Sequence, residues 1–112
     1  LLICYTIYMK TFSEKIVELA LSIPKGKVST YGHLARRAGG GGQAARAVTA
    51  ILGKAYERGE KGIPFHRIVY AGGRVWTNET YRGQRMKLYK EEGIEIDRKG
   101  FIVDFEDKLF KF

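Results

Sequence analysis

Apolar residues recur at intervals of three and four from Phe12 to Ala55, and beyond Ile63-Pro64 the interval shortens toward two. A chain patterned this way is expected to lay down consecutive helices and then finish in short strands. Thr11 with Glu14 three residues on is a capping-box pattern, and Phe12, Ile16, Leu19, Ala20 and Ile23 give the first helix an apolar face that stops at Pro24. Pro24-Lys25-Gly26-Lys27 reads as a turn. Ser29 or Thr30 then caps a second helix with an inner stripe of Tyr31, Leu34, Ala35 and Ala38, ended by Gly39 to Gly42. A third helix from Ala44 turns Ala44, Ala47, Val48, Ile51, Leu52 and Ala55 inward. This is helix-turn-helix spacing.

In the second half, Ile68-Val69-Tyr70 and Arg74-Val75-Trp76 flank Ala71-Gly72-Gly73, which predicts a short hairpin, the wing. A helix is expected from about Gly83 to Glu92 with Met86, Leu88 and Tyr89 facing in. Ile94 and Ile96 before Asp97-Arg98-Lys99-Gly100, with Phe101, Val103 and Phe105 after it, predict a closing hairpin. The expected fold class is mainly α (α+β): a winged helix-turn-helix domain with short β-hairpins. A length of 112 residues fits one such domain, expected over residues 9–112.

Met9 reads as a natural start, so Leu1 to Tyr8 is expected to be an extension outside the fold. Leu1 to Met9 is too short for a membrane span and lacks the positive lead of a secretory signal. Cys4 is the one cysteine, which excludes disulfide staples and cysteine zinc sites from the rest of the chain.

The net charge of +8 is unevenly spread. Residues 25 to 58 carry seven basic side chains against one acidic, while the segments on either side are close to balance. Such a local field concentrates polyanions and points first to nucleic acid, with an acidic protein or membrane surface as the alternative. With its apolar stripe turned inward, the third helix presents Ala45, Arg46, Thr49 and Gly53. A helix reading bases in the major groove offers several long polar side chains, and this one offers a single arginine. Small residues let the helix approach a groove floor while Arg46 enters the base stack, which implies recognition of DNA structure more than of sequence. The plain alternative is that these are good helix formers carrying an ordinary solvated arginine.

Three motifs occur in order: Ile23-Pro24-Lys25-Gly26-Lys27-Val28-Ser29-Thr30-Tyr31-Gly32, then Ala45-Arg46-Ala47-Val48, then Ile63-Pro64-Phe65-His66-Arg67-Ile68-Val69. Over about residues 10 to 106 the chain resembles the DNA-binding domain of the O6-alkylguanine-DNA alkyltransferases, whose third motif reads Ile-Pro-Cys-His-Arg-Val. Phe65 holds the cysteine position, which places the chain nearer the alkyltransferase-like proteins. Accepting an alkyl group requires an activated thiolate, and a phenyl ring cannot serve. In the enzymes a histidine and a buried glutamate activate the cysteine through a water, and His66 and Glu92 match those positions. Both are expected to be kept for structure, pinning the wing to the last helix.

The resemblance implies a non-catalytic reader of O6-alkylguanine in double-stranded DNA. It is expected to work from the minor groove by nucleotide flipping and to hand the lesion to nucleotide excision repair. Tyr31 would rotate the nucleotide, Arg46 would fill the gap, and Tyr31, Phe65, His66, Ile68 and Glu92 would form or support the lesion pocket. Thr30, Tyr31, Ala45, Arg46 and Thr49 are the expected DNA contacts. No catalytic residue, metal or cofactor is expected, nor any membrane partner. The chain is expected to act as a monomer, at the nucleoid in the cytoplasm of a prokaryote or in the nucleus of a eukaryote. Two segments depart from the enzymes: Tyr56-Glu57-Arg58-Gly59 replaces their Asn-Pro turn, and Trp76 to Gly83 replaces a glycine-rich loop, leaving Trp76 and Tyr81 open as lid or core. The rival readings are an alkyltransferase inactivated by a cysteine-to-phenylalanine change and a winged-helix transcription regulator.

Overall fold

The computed structural model describes residues 10–112; the expected extension of Leu1 to Tyr8, the start at Met9 and Cys4 lie outside the described residues. Helix α1 (Phe12–Leu21) begins with a complete capping box. Thr11 Oγ1 accepts from the Glu14 N–H at 3.1 Å, and the Glu14 carboxylate accepts from the Thr11 N–H at 3.2 Å. Helix α2 (Tyr31–Arg37) is capped by Thr30, whose hydroxyl accepts from the His33 N–H at 3.1 Å. A 3-10 turn at Gly42–Ala44 leads into helix α3 (Ala45–Glu57). Ile16 and Ala20 of α1, Leu34 and Ala35 of α2, and Val48 and Leu52 of α3 meet in one core with at most 1% of their surface exposed. Each large aliphatic member contributes about 1.5–3 kcal/mol of burial free energy.

Strand β1 (Ser29–Thr30) pairs in parallel with β2 (Ile68–Val69), Ser29 opposite Ile68 and Thr30 opposite Val69. This small sheet lies between two cores. Ile68 joins the helical core, while Val69 joins Val28, Val75, Tyr89, Ile94 and Ile102 in the other. Helix α4 (Arg82–Glu91) lies close to the helix expected there, and Tyr89 is its buried residue. No helix among the described residues is long and apolar enough to cross a membrane.

The fold is therefore mostly helical with a two-strand sheet, as the class expected from sequence, but two local pairings differ. Ile68 and Val69 pair with β1 instead of folding back on Arg74-Val75-Trp76. Both residues are buried, so the strand lies inside the molecule, whereas an alternating wing would leave one face in water. What remains of the hairpin is a tight turn in which the Tyr70 N–H donates to Arg74 O at 2.9 Å. Arg74 then bridges to Phe101. The closing hairpin forms, with Ile96 opposite Ile102, but Phe105 starts a four-residue helix, α5 (Phe105–Lys108), instead of extending a strand. Leu109 then returns beside Val28.

Gly73 makes that turn possible. It sits at φ +91, and a Cβ there would lie 2.8 Å from the Phe105 ring. Gly73→Ala should destabilise the fold by about 1–3 kcal/mol through left-handed strain and overpacking. Urea unfolding measures this, and an unchanged midpoint would contradict the packing described.

Candidate nucleic-acid interface

The Ile63-Pro64 pair enters a 3-10 turn at Phe65–Arg67. His66 and Arg67 converge on Glu92 at the C-terminal end of α4. The Glu92 carboxylate makes a 2.6 Å hydrogen bond with His66 Nε2 and accepts from Arg67 Nε at 3.0 Å and Arg67 Nη2 at 2.9 Å. It also accepts from the Gly26 backbone N–H at 3.1 Å. Arg67 Nη1 donates to Ile23 O at 2.9 Å, and the Tyr89 hydroxyl donates to His66 O at 2.6 Å. One carboxylate thus joins the turn after α1, the Phe65 turn and α4. The sequence reading anticipated the His66 to Glu92 contact but not Arg67, whose two-pronged bond is the geometry guanidinium favours with carboxylate. Its signal was its place directly after the histidine in the third motif.

Burial raises the Glu92 pKa, but the hydrogen bonds from Arg67, His66 and Gly26 overcome this and hold it down, from 4.5 to about 2. Burial lowers the His66 pKa below its ordinary value, with Arg67 and Arg85 acting in the same direction and Glu92 opposing them. His66 is therefore neutral at pH 7 and donates its Nε2 proton to the carboxylate. Burial raises the Tyr31 pKa, helped by Tyr70, against the pull of Thr49 and Arg85. Tyr89 is pushed up to about 12, again mainly by burial.

Tyr31 opens α2 half-buried, its ring 5.5 Å from that of Tyr70. Phe65 is also half-buried, edge-on to Tyr56 at 5.8 Å, so the segment replacing the Asn-Pro turn supplies an aromatic neighbour. Trp76 lies 6.1 Å from Tyr81, with the Arg85 guanidinium 5.1 Å from the Trp76 ring centre. Arg85 also acts electrostatically on Tyr31, His66 and Tyr89, placing a cation among these groups. Its position was not singled out from sequence, because one arginine in the Arg82-Gly83-Gln84-Arg85 run carries no distinguishing pattern.

On α3, Arg46 and Thr49 are exposed together, three residues apart on one face. Ala45 is half-buried against the core and Ala47 is exposed, so the helix is rotated slightly from the face expected. The change leaves the outer surface small: Ala47, Thr49 and Ala50 surround Arg46. Thr30 is buried and its hydroxyl is committed to capping α2. Ile68 is 1% exposed, so it offers backbone more readily than side chain to a ligand. Five of the grooves on the described surface have volumes of about 310 to 550 Å³, and Tyr31, Phe65 and His66 line none of these five. The described residues contain no cluster of three His, Cys, Asp or Glu able to hold a metal.

The family described as 6-O-methylguanine DNA methyltransferase, DNA binding domain, matches residues 11–94. A DNA base-flipping protein of Vibrio parahaemolyticus is 36% identical over 95 residues, covering 85% of this chain and 92% of that protein. Alkyltransferase-like protein 1 of Schizosaccharomyces pombe is 34% identical over 90 residues, covering 79% and 81%. The crystal structure of an S. pombe alkyltransferase-like protein with damaged DNA containing O6-carboxymethylguanine superposes with a TM-score of 0.69. It is 27% identical and covers 93% of this chain and all of that one.

The Glu92 cluster makes stability pH-dependent. Below about 4.5 the unfolded carboxylate takes a proton that the folded one resists until about pH 2, so its contribution is complete above 4.5 and lost as pH falls toward 2. That contribution is on the order of 3 kcal/mol. The lowered His66 adds a loss of the same sign below its ordinary value of 6.5. Unfolding free energy should fall on acidification, and Glu92→Gln should flatten the portion below pH 4.5. A variant as steep there as the parent would contradict the cluster's role.

Proposed function

This chain belongs to the family of the 6-O-methylguanine DNA methyltransferase DNA-binding domain, among its alkyltransferase-like members, and on that premise we propose that it finds O6-alkylguanine in duplex DNA and holds it without chemistry. It is a homologue of the alkyltransferases without their nucleophile. The observation that carries the reading is Phe65 at the cysteine position, mounted on a turn that Glu92 still locks through His66 and Arg67. The S. pombe complex with O6-carboxymethylguanine and the relatives named for base flipping support it.

In this reading α3 lies in the minor groove, where the small side chains around Arg46 permit close approach. Tyr31 presses on the backbone beside the lesion, and Arg46 enters the stack as the nucleotide rotates out. Flipping costs a few kcal/mol, less at a damaged or mispaired base, and this difference supplies part of the selectivity. The base comes to rest against Phe65, with Tyr31 beside it and Arg85 close by. Tyr31, Phe65 and Arg85 line none of the five grooves described above, and in this reading the pocket forms as the base arrives. An apolar wall then favours an alkylated base over guanine, by about 0.8 kcal/mol for each methylene buried. His66 and Glu92 hold the turn and transfer nothing.

A protein that retains a lesion is useful when another removes it, and nucleotide excision repair is the route proposed. That role places the chain with the genome, at the nucleoid or in the nucleus. Titration of duplexes differing only in guanine or O6-methylguanine tests the reading. Tighter binding of the damaged duplex is expected, with Arg46→Ala and Tyr31→Ala each losing most of that preference. Equal affinity of the parent chain for both duplexes would refute it.

A further inference from the structure

A second surface, formed by the segments that follow β2, carries unassigned charge. Between the Gly73 turn and the closing hairpin lies a groove of about 350 Å³. Arg74, Arg82, Arg98 and Lys99 line it, all four exposed and none in a salt bridge among the described residues. The one acid on the groove, Asp97, is committed to the turn: its Oδ1 accepts from the backbone N–H groups of Lys99 at 2.9 Å and Phe101 at 3.0 Å. These cations come from three separate segments, two of which the Arg74 to Phe101 bridge brings together. An uncompensated cluster of this kind raises the free energy of the fold through self-repulsion and is relieved by an anion.

The groove neighbours the recognition site through two aromatic side chains on its wall. The Arg74 guanidinium stacks 4.4 Å from the Tyr70 ring centre, and Tyr70 lies against Tyr31. Trp76 lines the groove and also meets Arg85. We propose that this groove is a second DNA-binding site, which holds phosphodiester groups of the same duplex beyond the flipped nucleotide. Resting on the DNA-binding reading above, it adds a sequence-independent and damage-independent anchor. Exposed arginines suit a phosphodiester backbone, because a guanidinium can bind a phosphate through paired N–H donors, and Arg74 can do so while keeping its stack on Tyr70. Tyr70 and Arg74 then form a physical link from that strand to Tyr31, so that backbone anchoring and nucleotide rotation act on neighbouring phosphates.

The test is the salt dependence of affinity for the guanine and O6-methylguanine duplexes, using Arg98→Gln/Lys99→Gln. Both side chains are exposed on a turn held by backbone bonds to Asp97, so the variant keeps the fold. Its log-log slope should be shallower than the parent's by about 1–2, since each lost phosphate contact removes about 0.9. Affinity for both duplexes should fall by the same factor, leaving the lesion preference intact. Lys10→Gln/Lys15→Gln, which removes two exposed charges from the α1 side, should leave the slope closer to the parent's. An unchanged slope in Arg98→Gln/Lys99→Gln, or an equal change in the α1-side variant, would overturn the groove as a DNA site. If the parent lacks lesion preference while the slope still falls, the damage reading fails and the groove stands. Preference with an unchanged slope is the reverse.

Discussion

The structure turns on one carboxylate. Glu92, at the end of α4, is bonded by Arg67 twice, by His66 and by the Gly26 amide, and these partners come from the turn before α2 and from the Phe65 turn. Arg67 extends the tie to the end of α1 through Ile23 O. Desolvating this charge is costly, and only its full set of partners makes the burial tolerable. The result is a fixed position for the Phe65 turn relative to the helices that carry Tyr31 and Arg46.

That arrangement explains how a fold built for chemistry works without it. A thiolate would have used the histidine and glutamate to move a proton. Here a neutral His66 spends its Nε2 proton on Glu92, and Glu92 is held as an anion by Arg67, so the pair is an anchor. Phe65 brings an apolar ring packed on Tyr56, and Tyr31 stands beside Tyr70 at the start of α2. Without the sulfur there is no acceptor for an alkyl group, and an aromatic ring stands on the same turn.

Much of this was legible in the sequence, and the exceptions have physical causes. The caps of α1 and α2 are local, set by Thr11, Glu14 and Thr30 within a few residues of their partners, and they form as read. The α3 face was placed within a small rotation: Ala45 and Ala47 exchange roles, because alanine burial says little to a periodicity count. The partner of Ile68-Val69 was not legible, since short apolar strands reveal burial more than pairing, and β1 lies about forty residues away in the chain. Arg67 and Arg85 were overlooked for a related reason. Each acquires meaning only from residues far along the chain, Glu92 and Ile23 for the first, Tyr31, His66 and Trp76 for the second.

The question that remains decisive is where a damaged base rests once it leaves the duplex and whether it stays whole. Determining the structure of this chain bound to a duplex with a single O6-methylguanine answers both parts at once. The expected result is a nucleotide rotated out of the helix, its base against the Phe65 ring and its methyl group still on O6, with Arg46 in the vacated stack. A base still paired within the duplex, or a methyl group found on any side chain of the protein, would contradict it.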